Sequence, residues 1–368
     1  AVLSPPEVQD LWAVLRQLRE HGGTIVVITH KLDEVMEISD RVTVMRHGRT
    51  VATIDTRETS PAELARAMVG REVALARKGD GGGDGEASGE TALALQDVRV
   101  QRRDGTTALD GVTLSVRRGE IVGIAGVEGN GQTELVEVIA GLTELDGGAI
   151  QLLGRPLRGG ARERFDAGIA HVPEDRHRRG LVLEYTVADN LIVGLQHHFT
   201  SHGVLRQGAI RRNATTKVHE FDIRPDRIEG TAVTLSGGNQ QKIVIARELT
   251  REHAVLLAAQ PTRGVDVGAI EAIHARLRAE RAAGKAVLLI SADLNEIMAL
   301  SDRVAVMYRG RIAAVLSGEE ATEERLGEYM TGVRRENPEG TTKEESKGTR
   351  KETTKERDTS GGQGGRVS

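Results

Sequence analysis

The chain begins with an apolar face at helical spacing in residues 7–21, formed by Val8, Leu11, Trp12, Leu15 and Leu18. Gly22 and Gly23 predict the end of that helix. Residues 24–29 form a continuous run rich in β-branched side chains, which predicts a strand buried on both faces of a parallel sheet. The pattern then predicts a helix over 31–39, strands over 41–46 and 50–54, and a helix over 61–69.

A second patterned region begins at Leu93. It predicts strands over 93–101, 112–116, 119–125, 149–153, 254–259 and 286–291, and a β-hairpin over 303–316. Helices are predicted over 132–141, 267–282 and 293–300, while residues 182–230 read as mainly helical and less regular, as in an inserted subdomain. Strands that alternate with helices in this way predict an α/β fold with a mainly parallel sheet.

Two stretches lack such a pattern. Residues 77–91 contain glycine and acidic residues with little apolar material, which predicts a flexible linker. After Gly332 the chain is almost entirely charged and polar, which predicts disorder. We therefore expect a domain over 1–73, a linker over 74–92, a domain over 93–333 with a helical part at about 182–250, and a disordered charged tail over 334–368.

The two patterned regions repeat each other. Ser39-Asp40-Arg41-Val42 recurs as Ser301-Asp302-Arg303-Val304, an offset of 301 − 39 = 262, and the pairs Gly48/Gly310, Met68/Met330 and Gly70/Gly332 keep this offset. A constant offset indicates two copies of one unit. Since Ala1 then corresponds to Arg263, we expect the first copy to lack on the order of 170 residues and the chain to be a carboxyl-terminal fragment.

Composition narrows the functional classes. With 38% hydrophobic and 28% charged residues and a net charge of −4, the chain is typical of a globular protein and gives no reason to expect nucleic acid as a partner. The absence of cysteine excludes disulfides, a thiol nucleophile and cysteine-ligated zinc. No apolar run approaches the roughly 18 residues that a transmembrane helix needs, so we expect a cytosolic or peripheral protein.

The loop Gly126-Val127-Glu128-Gly129-Asn130-Gly131-Gln132-Thr133 has the spacing of a P-loop between a strand and a helix. Its glycines predict backbone N–H groups that cradle phosphates, and Thr133 predicts a hydroxyl for Mg²⁺. Gln132 stands where a P-loop has lysine, so we expect weak hydrolysis at this site. A glycine-rich turn without a ligand is the alternative interpretation.

The stretch Leu235-Ser236-Gly237-Gly238-Asn239-Gln240-Gln241-Lys242, here called the signature octapeptide, precedes an apolar helical run. Free backbone N–H groups at a helix start, beside a serine hydroxyl, predict a phosphate site. The alternative is an ordinary serine N-cap followed by two glycines.

These motifs, together with Gln260-Pro261-Thr262-Arg263-Gly264-Val265-Asp266, resemble the ATP-binding subunits of ABC importers. The resemblance covers about residues 1–333 and is closest to the double-domain ATPases for simple sugars and nucleosides, with the nucleoside branch favoured. It implies a P-loop NTPase fold with a mainly parallel sheet, an antiparallel β subdomain and a helical subdomain, in one partial and one complete copy. It also implies ATP and Mg²⁺ as cofactors.

Carried over residue by residue, the resemblance implies a nucleotide site and a catalytic residue. His30 corresponds to the switch histidine of the first domain, and Thr133 to a metal ligand. The implied nucleotide-binding residues are Gly126, Gly129, Asn130, Gly131, Gln132, Thr133, Glu134, Glu174, Ser236, Gly237, Gly238, Asn239, Gln240 and Asp266.

The second domain departs from the family pattern at several positions. The acidic pair that ends the strand before Pro261 falls on Ala259 and Gln260, the switch histidine on Ala292, and the Q-loop glutamine on Glu174. No aromatic residue for stacking adenine occurs in residues 100–104. Family members pair their domains head to tail, which implies one hydrolytic site that uses His30, the signature octapeptide and Asp266, and one degenerate site at residues 126–133.

The function implied is that of an ATPase energising uptake of nucleosides or simple sugars at the cytoplasmic face of the membrane. Its partners would be two transmembrane permease subunits and an extracytoplasmic solute-binding protein, and the fragment by itself would be inactive. The alternatives are a soluble double-ABC ATPase of translation and a non-catalytic regulatory ABC module. The basic run 176–179 is either a solvated loop or part of a permease interface.

Overall fold

The computed structural model describes residues 5–29, 32–46, 48–70 and 88–334. Its helices are α1 (Pro5–Glu20), α2 (Leu32–Ile38), α3 (Pro61–Val69), α4 (Gln132–Ile139), α5 (Ala161–Ala167), α6 (Val187–Asn190), α7 (Gln207–Glu220), α8 (Gly237–Leu249), α9 (Val267–Ala282), α10 (Leu294–Leu300) and α11 (Glu323–Met330). Its strands are β1 (Arg41–Arg46), β2 (Arg49–Asp55), β3 (Ser88–Gln101), β4 (Thr107–Arg118), β5 (Ile121–Ala125), β6 (Gly147–Leu152), β7 (Arg155–Pro156), β8 (Ile169–Val172), β9 (Thr200–Ser201), β10 (Val204–Leu205), β11 (Val255–Ala259), β12 (Ala286–Ile290), β13 (Arg303–Tyr308) and β14 (Arg311–Ser317).

A six-stranded sheet forms the centre of the larger unit, in the order β14-β13-β5-β12-β11-β8. Every pairing in it is parallel except that of β13 with β14. All residues of β5, β11 and β12 are buried, as their continuous apolar runs predict. Because parallel strands end at the same edge, the residues that follow β5, β8, β11 and β12 come together there.

A four-stranded antiparallel sheet, β4-β3-β6-β7, covers one face of the central sheet. Leu95 and Leu109 from the antiparallel sheet share a core with Leu135 of α4 and with Leu257 and Leu288 of the central sheet. Strand β3 begins at Ser88, so residues 88–92 belong to this sheet and the predicted linker boundary at residue 92 is wrong. The rest of that linker, and the predicted tail from residue 335 onward, lie outside the described residues.

Helices cover the other face of the central sheet. Ile121, Leu256 and Val287 pack there with Ile243 of α8 and Ile273 of α9. Residues 182–230, predicted as mainly helical, contain α6 and α7, but residues 191–206 form turns, a short 3₁₀ helix (Gln196–Phe199) and the β9–β10 hairpin instead. This part therefore contains less helix than the sequence pattern predicted.

Elements recur at the offset that the sequence repeat predicts. The bounds of α1, α2, β1 and β2 become those of α9, α10, β13 and β14 when 262 is added to each residue number. Both hairpins have a register shift at equivalent positions, Val44/Met45 and Val306/Met307. The short helices after the hairpins also start alike, since the side chains of Ser60 and Thr322 each accept a hydrogen bond from the third residue of the helix.

The predicted strand over residues 24–29 is absent, and that prediction is wrong for this structure. These residues have no strand geometry, and Val26 and Ile28 are 84% and 97% exposed. Their equivalents in β12 pair with β5 on one side and β11 on the other. Among the described residues before position 71, the only strands are β1 and β2, which pair with each other, so the run lacks the neighbours that would order and bury it.

This difference predicts unequal effects of one substitution at two equivalent positions. Ile290→Ala removes a side chain that is 4% exposed in the core, so we expect a loss of about 3 kcal/mol in the free energy of unfolding. Ile28→Ala, its matched control 262 residues earlier, should change the free energy by less than about 0.5 kcal/mol. Urea unfolding followed by circular dichroism measures both, and equal losses would contradict the described packing.

Candidate functional site

The loop between β5 and α4 has little room for side chains on its glycines. A Cβ on Gly126 would lie 2.5 Å from Nε2 of Gln132 and 2.9 Å from the carbonyl oxygen of Met307. Gly131 has a φ of 107°, and a Cβ there would lie 2.7 Å from the carbonyl oxygen of Ala108. Backbone alone fits at these positions, so the loop presents peptide groups to whatever occupies its concave side.

Asn130 holds the loop against the β13–β14 turn. Its Nδ2 donates to the carbonyl of Val127 at 3.0 Å, and its Oδ1 accepts from the amide of Arg309 at 2.7 Å. Its carbonyl also accepts from the amide of Gly310 at 2.9 Å. These bonds assign the Asn130 side chain to fixing the shape of the loop in this structure.

Two further loop residues also bond within the protein. Gln132 Nε2 donates to the Val127 carbonyl at 3.0 Å, so the residue that replaces lysine closes back on its own loop. Glu134 accepts from Nε of Arg102 at 2.7 Å, and Arg102 reaches toward the carbonyl of Gly129 at 3.5 Å. The Arg102 guanidinium therefore lies at the outer rim of the loop.

A cleft of about 270 Å³ lies beside this loop, at the carboxyl edge of the central sheet. Of the residues singled out from sequence, it brings together Gly126, Gly129, Gln132, Thr133, Glu174, Ala259, Gln260 and Ala292. It is also lined by residues that sequence reasoning did not assign to the nucleotide site: Glu128, Val136, Glu137, His171, Pro173, Asp175, Arg178, Arg179, Arg263, Ile290 and Ser291.

The Glu174 carboxylate lies at the centre of the polar contacts in the cleft. Its Oε2 accepts from the Thr133 hydroxyl at 3.4 Å, and its Oε1 accepts from Nη1 of Arg263 at 2.6 Å. A second ion pair joins Arg179 to Glu137 at 2.6 Å. In all, four carboxylates and three guanidinium groups line the cleft, so it offers no excess positive charge to an anion.

Gln260 and Ala292 contact each other across the ends of β11 and β12. The backbone N–H of Ala292 donates to the side-chain Oε1 of Gln260 at 3.1 Å. The backbone N–H of Gln260 donates to the carbonyl of Ile290 at 2.7 Å. Gln260 has a φ of 48°, a conformation that few residues other than glycine adopt. Neither side chain can remove a proton from water, so this edge of the cleft lacks a general base.

His171 of β8 lines the inner end of the cleft. Burial lowers the pKa of its imidazole to about 4, so the ring is neutral near pH 7. Its Nε2 is buried and has no hydrogen-bond partner among the described residues. The ring therefore adds no positive charge to the cleft.

The signature octapeptide starts α8 and is not among the residues that line the cleft. The Ser236 hydroxyl caps the helix by accepting a hydrogen bond from the backbone N–H of Asn239. It also accepts one from the side-chain Nδ2 of Asn239, at 2.9 Å. Gln240 is buried, and its Nε2 donates to the carbonyl of Ala232 at 3.0 Å. The signature octapeptide thus makes its contacts at the start of its own helix, and none of its residues lines the cleft beside the P-loop of its own unit.

Asp266 caps α9 by accepting from the amide of Ala269 at 2.9 Å. Its other carboxylate oxygen would lie 3.2 Å from a Cβ on Gly238, so the Asp266 loop and the signature octapeptide are in close contact. His30, the predicted catalytic histidine, lies outside the described residues.

A second, basic groove of about 150 Å³ lies between α5, β8 and α8. Its charged lining residues are Arg164, Arg179, Arg247, Glu248 and Arg251. Glu248 accepts from both Arg247 and Arg251, while Arg164 donates to the carbonyls of Ile139 and Gly159. Glu137 pairs with Arg179, and Glu248 is the one carboxylate beside the other three guanidinium groups, so this groove keeps an excess of positive charge.

The sequence signals for the missed cleft residues were present but not specific. Arg178 and Arg179 belong to the basic run 176–179, which predicts a solvated loop or an interface, and Arg263 follows the Pro261-Thr262 pair. Which of these side chains turns into the cleft depends on the single π-helical turn Arg176–Gly180, capped by Asp175, which local patterns do not predict.

Two kinds of feature are absent from the described residues. In residues 5–29, 32–46, 48–70 and 88–334, no helix is long and apolar enough to cross a membrane. The same ranges contain no group of three or more His, Cys, Asp or Glu side chains placed to hold a metal ion.

Comparison with known proteins identifies the domain. Residues 109–263 match the family described as ABC transporter. The chain is 43% identical over 340 residues to the nucleoside import ATP-binding protein of Lactococcus lactis and 44% identical over 335 residues to the guanosine import ATP-binding protein of Bacillus subtilis. In both cases 90% of this chain is covered, and the chain spans 65% of the length of the relative. A ribose import ATP-binding protein of Rubrobacter xylanophilus is 40% identical, and the match covers 91% of this chain and 63% of that protein.

Solved structures agree on the fold. An ATP-binding subunit of an ABC transporter superposes with a TM-score of 0.55 at 25% identity, covering 66% of this chain and all of that one. A dimeric ATP-binding cassette bound to ADP and Pi superposes with a TM-score of 0.54 at 23% identity. The superposition covers 61% of this chain and 98% of that one. The chain thus contains an ABC transporter domain with the P-loop nucleotide-binding fold, and its close homologues are ATP-binding proteins of nucleoside and sugar import.

Proposed function

We propose that the chain is part of the ATP-binding subunit of an importer for nucleosides or simple sugars. In this proposal the cleft beside residues 126–133 holds a nucleotide without hydrolysing it. The signature octapeptide completes a second, hydrolytic site on another P-loop. Relatives named for nucleoside and guanosine import support nucleosides as the transported solute, and relatives named for glucose and ribose import support simple sugars.

The observation that supports this most strongly is the hydrogen bond between Gln260 and Ala292. A hydrolytic site needs a group at this edge of the cleft that orients or deprotonates water. Here the Gln260 side chain accepts a hydrogen bond from the backbone N–H of Ala292 at 3.1 Å instead. A bound nucleotide would therefore keep its terminal phosphate.

The residues of the loop fit a nucleotide phosphate. Gly126 and Gly131 leave a cradle that a Cβ would fill, and α4 begins directly after it with its N-terminus toward the cleft. Gln132 can donate one neutral hydrogen bond there if it releases the Val127 carbonyl. The loop therefore positions phosphate mainly through backbone amides.

Thr133 and Glu174 fit the needs of an Mg²⁺ ion that accompanies the nucleotide. Mg²⁺ is commonly bound through one or two carboxylates together with substrate phosphates. Thr133 Oγ1 and Glu174 Oε2 lie 3.4 Å apart, near the roughly 2.9 Å that separates neighbouring ligands in an octahedron with 2.0–2.1 Å bonds. When bound, the ion would neutralise phosphate charge in a cleft that has more carboxylates than guanidinium groups.

The hydrolytic site of this proposal combines parts from two units. The recurrence of α1, α2, β1, β2 and α3 at a constant offset supports a first unit of the same kind. The placement of the signature octapeptide and Asp266 away from their own P-loop supports their use by another P-loop. We assign His30 to that site as the residue that contacts its γ-phosphate, in register with Ala292 of the second unit.

For the partners, we propose transmembrane permease subunits that dock at the basic groove, together with an extracytoplasmic solute-binding protein. The groove lies next to the π-helical turn Arg176–Gly180 and shares Arg179 and His171 with the cleft. An acidic segment of a permease would find excess positive charge there. This placement would bring the subunit to the cytoplasmic face of the membrane.

Restoring the lysine of the P-loop tests nucleotide binding at this loop. Gln132→Lys replaces a neutral donor by a charged one, which is worth about 1 kcal/mol more, so we expect roughly fivefold tighter binding of ATP. Gln207→Lys adds the same charge at the exposed start of α7, outside the cleft, and should leave the affinity unchanged. Fluorescent ATP titrations compare the two, and an unchanged affinity in Gln132→Lys would place the nucleotide elsewhere.

Removing the Glu174 charge tests the metal assignment. We expect Mg²⁺ to strengthen ATP binding by the unaltered chain, and Glu174→Gln to reduce that strengthening on the order of tenfold. Glu128→Gln is the matched control, because it removes the same charge from the same cleft at a residue that has no recorded contact with Thr133. The readout is the ratio of ATP affinities with and without Mg²⁺, and equal ratios in the two variants would exclude Glu174 as a ligand.

A further inference from the structure

A continuous series of polar contacts joins the cleft to the signature octapeptide. Thr133 Oγ1 lies 3.4 Å from Glu174 Oε2, and Arg263 Nη1 donates to Glu174 Oε1 at 2.6 Å. The Arg263 carbonyl accepts from Arg176 Nη1 at 2.8 Å, and Arg176 Nε donates to Gln240 Oε1 at 3.4 Å. The series runs from the first turn of α4 to the first turn of α8.

Arg176 also packs directly against the glycines of that helix start. A Cβ on Gly237 would lie 2.7 Å from Nη2 of Arg176 and 2.7 Å from the carbonyl oxygen of Gly264. The guanidinium therefore occupies the space that a side chain on Gly237 would need. Any displacement of Arg176 must change the surroundings of Gly237, because interiors packed this closely leave little free volume.

We propose that Arg176 is a positioning residue through which a ligand in the cleft changes the placement of the signature octapeptide. The inference rests on the proposed binding of a nucleotide in the cleft. It goes beyond that proposal because it makes this cleft, whose Gln260–Ala292 edge lacks a general base, a regulator of the signature octapeptide, which serves the other site.

The ion pair of Arg263 with Glu174 is the contact that a nucleotide disturbs. Arginine binds phosphate through paired charged hydrogen bonds, so an incoming phosphate competes with Glu174 for the Arg263 side chain. A divalent cation bound with the nucleotide competes with Arg263 for the Glu174 carboxylate. The next residue, Gly264, has a φ of 67°, a conformation that glycine adopts without strain, so the backbone at Arg263 can turn.

Of the two side chains that contact Gln240, Arg176 also contacts the Arg263 backbone, whereas His177 does not. The Arg176 guanidinium donates to the Arg263 carbonyl and to the Gln240 amide oxygen, so its two recorded bonds link the two segments. Both acceptors are neutral, and such bonds exchange more readily than those to a carboxylate. His177 also contacts Gln240 Oε1, at 2.8 Å, but it has no recorded contact with Arg263.

Amide hydrogen exchange of the whole chain, with and without ATP and Mg²⁺, tests this proposal. In the unaltered chain we expect ATP to change the exchange of the Gly237–Gln240 amides about fivefold, the lower end of ordinary coupling between sites. Arg176→Gln should reduce that change to less than about twofold while the affinity for ATP stays within about twofold, because Arg176 does not line the cleft. His177→Gln, the matched control, removes the other contact with Gln240 and should keep the full response.

Arg176→Lys keeps the charge but lacks the planar fork whose separate nitrogens reach the two oxygens, so it should lose at least half of the response and decides the matter if Arg176→Gln does not fold. A full ATP response in the folded Arg176 variants would overturn the proposal.

Fluorescent ATP titrations of the same proteins measure ATP affinity, so a failure of the inference can be told apart from a failure of the proposed function. If the unaltered chain binds no ATP, the proposed function of the cleft fails, and the inference with it. If it binds ATP and the change in amide exchange does not depend on Arg176, only the inference fails.

Discussion

Parallel pairing of β5 with β12 and β13 is the constraint on which the rest of the site depends. It places the end of β5, and hence the glycine loop, beside the ends of β11 and β12. The loop, Gln260, Ala292 and Glu174 then meet in one cleft although they are far apart in sequence. Residues 24–29 show the converse, because an equally apolar run without neighbouring strands stays exposed. In this chain strand neighbours, more than local propensity, decide whether such a run becomes part of a sheet.

The cleft and the signature octapeptide have different chemistry. The cleft keeps the backbone geometry for phosphate, yet it has glutamine where lysine is expected and an amide–backbone bond where a base is needed. The signature octapeptide keeps its capped helix start and its close contact with the Asp266 loop. Binding and hydrolysis are therefore separated in our account. The series of contacts through Arg176 joins the cleft, to which we assign binding, to the signature octapeptide, to which we assign hydrolysis on another P-loop.

Much of the fold followed from the sequence, since periodicity predicted the buried strands β5, β11 and β12 and the repeat predicted equivalent helices and hairpins at a constant offset. Spacing identified Thr133 and the family resemblance identified Glu174, and the structure brings these two residues together. Other features depend on tertiary contacts that local patterns do not encode. The Arg263–Glu174 ion pair joins residues 89 positions apart, and the groove around Glu248 needs α5, β8 and α8 to be packed first. The strand predicted at 24–29 was wrong for the same reason.

The central claim is that this cleft retains ATP rather than consuming it, and the chemical state of bound nucleotide tests it most directly. The chain is incubated for many hours with ATP and Mg²⁺, separated from free nucleotide, denatured, and its released nucleotide identified by chromatography. Our account predicts one nucleotide for each chain, recovered as ATP. Recovery of ADP in that amount, with phosphate released into solution, would contradict it, because Gln260 and Ala292 provide no group to activate water.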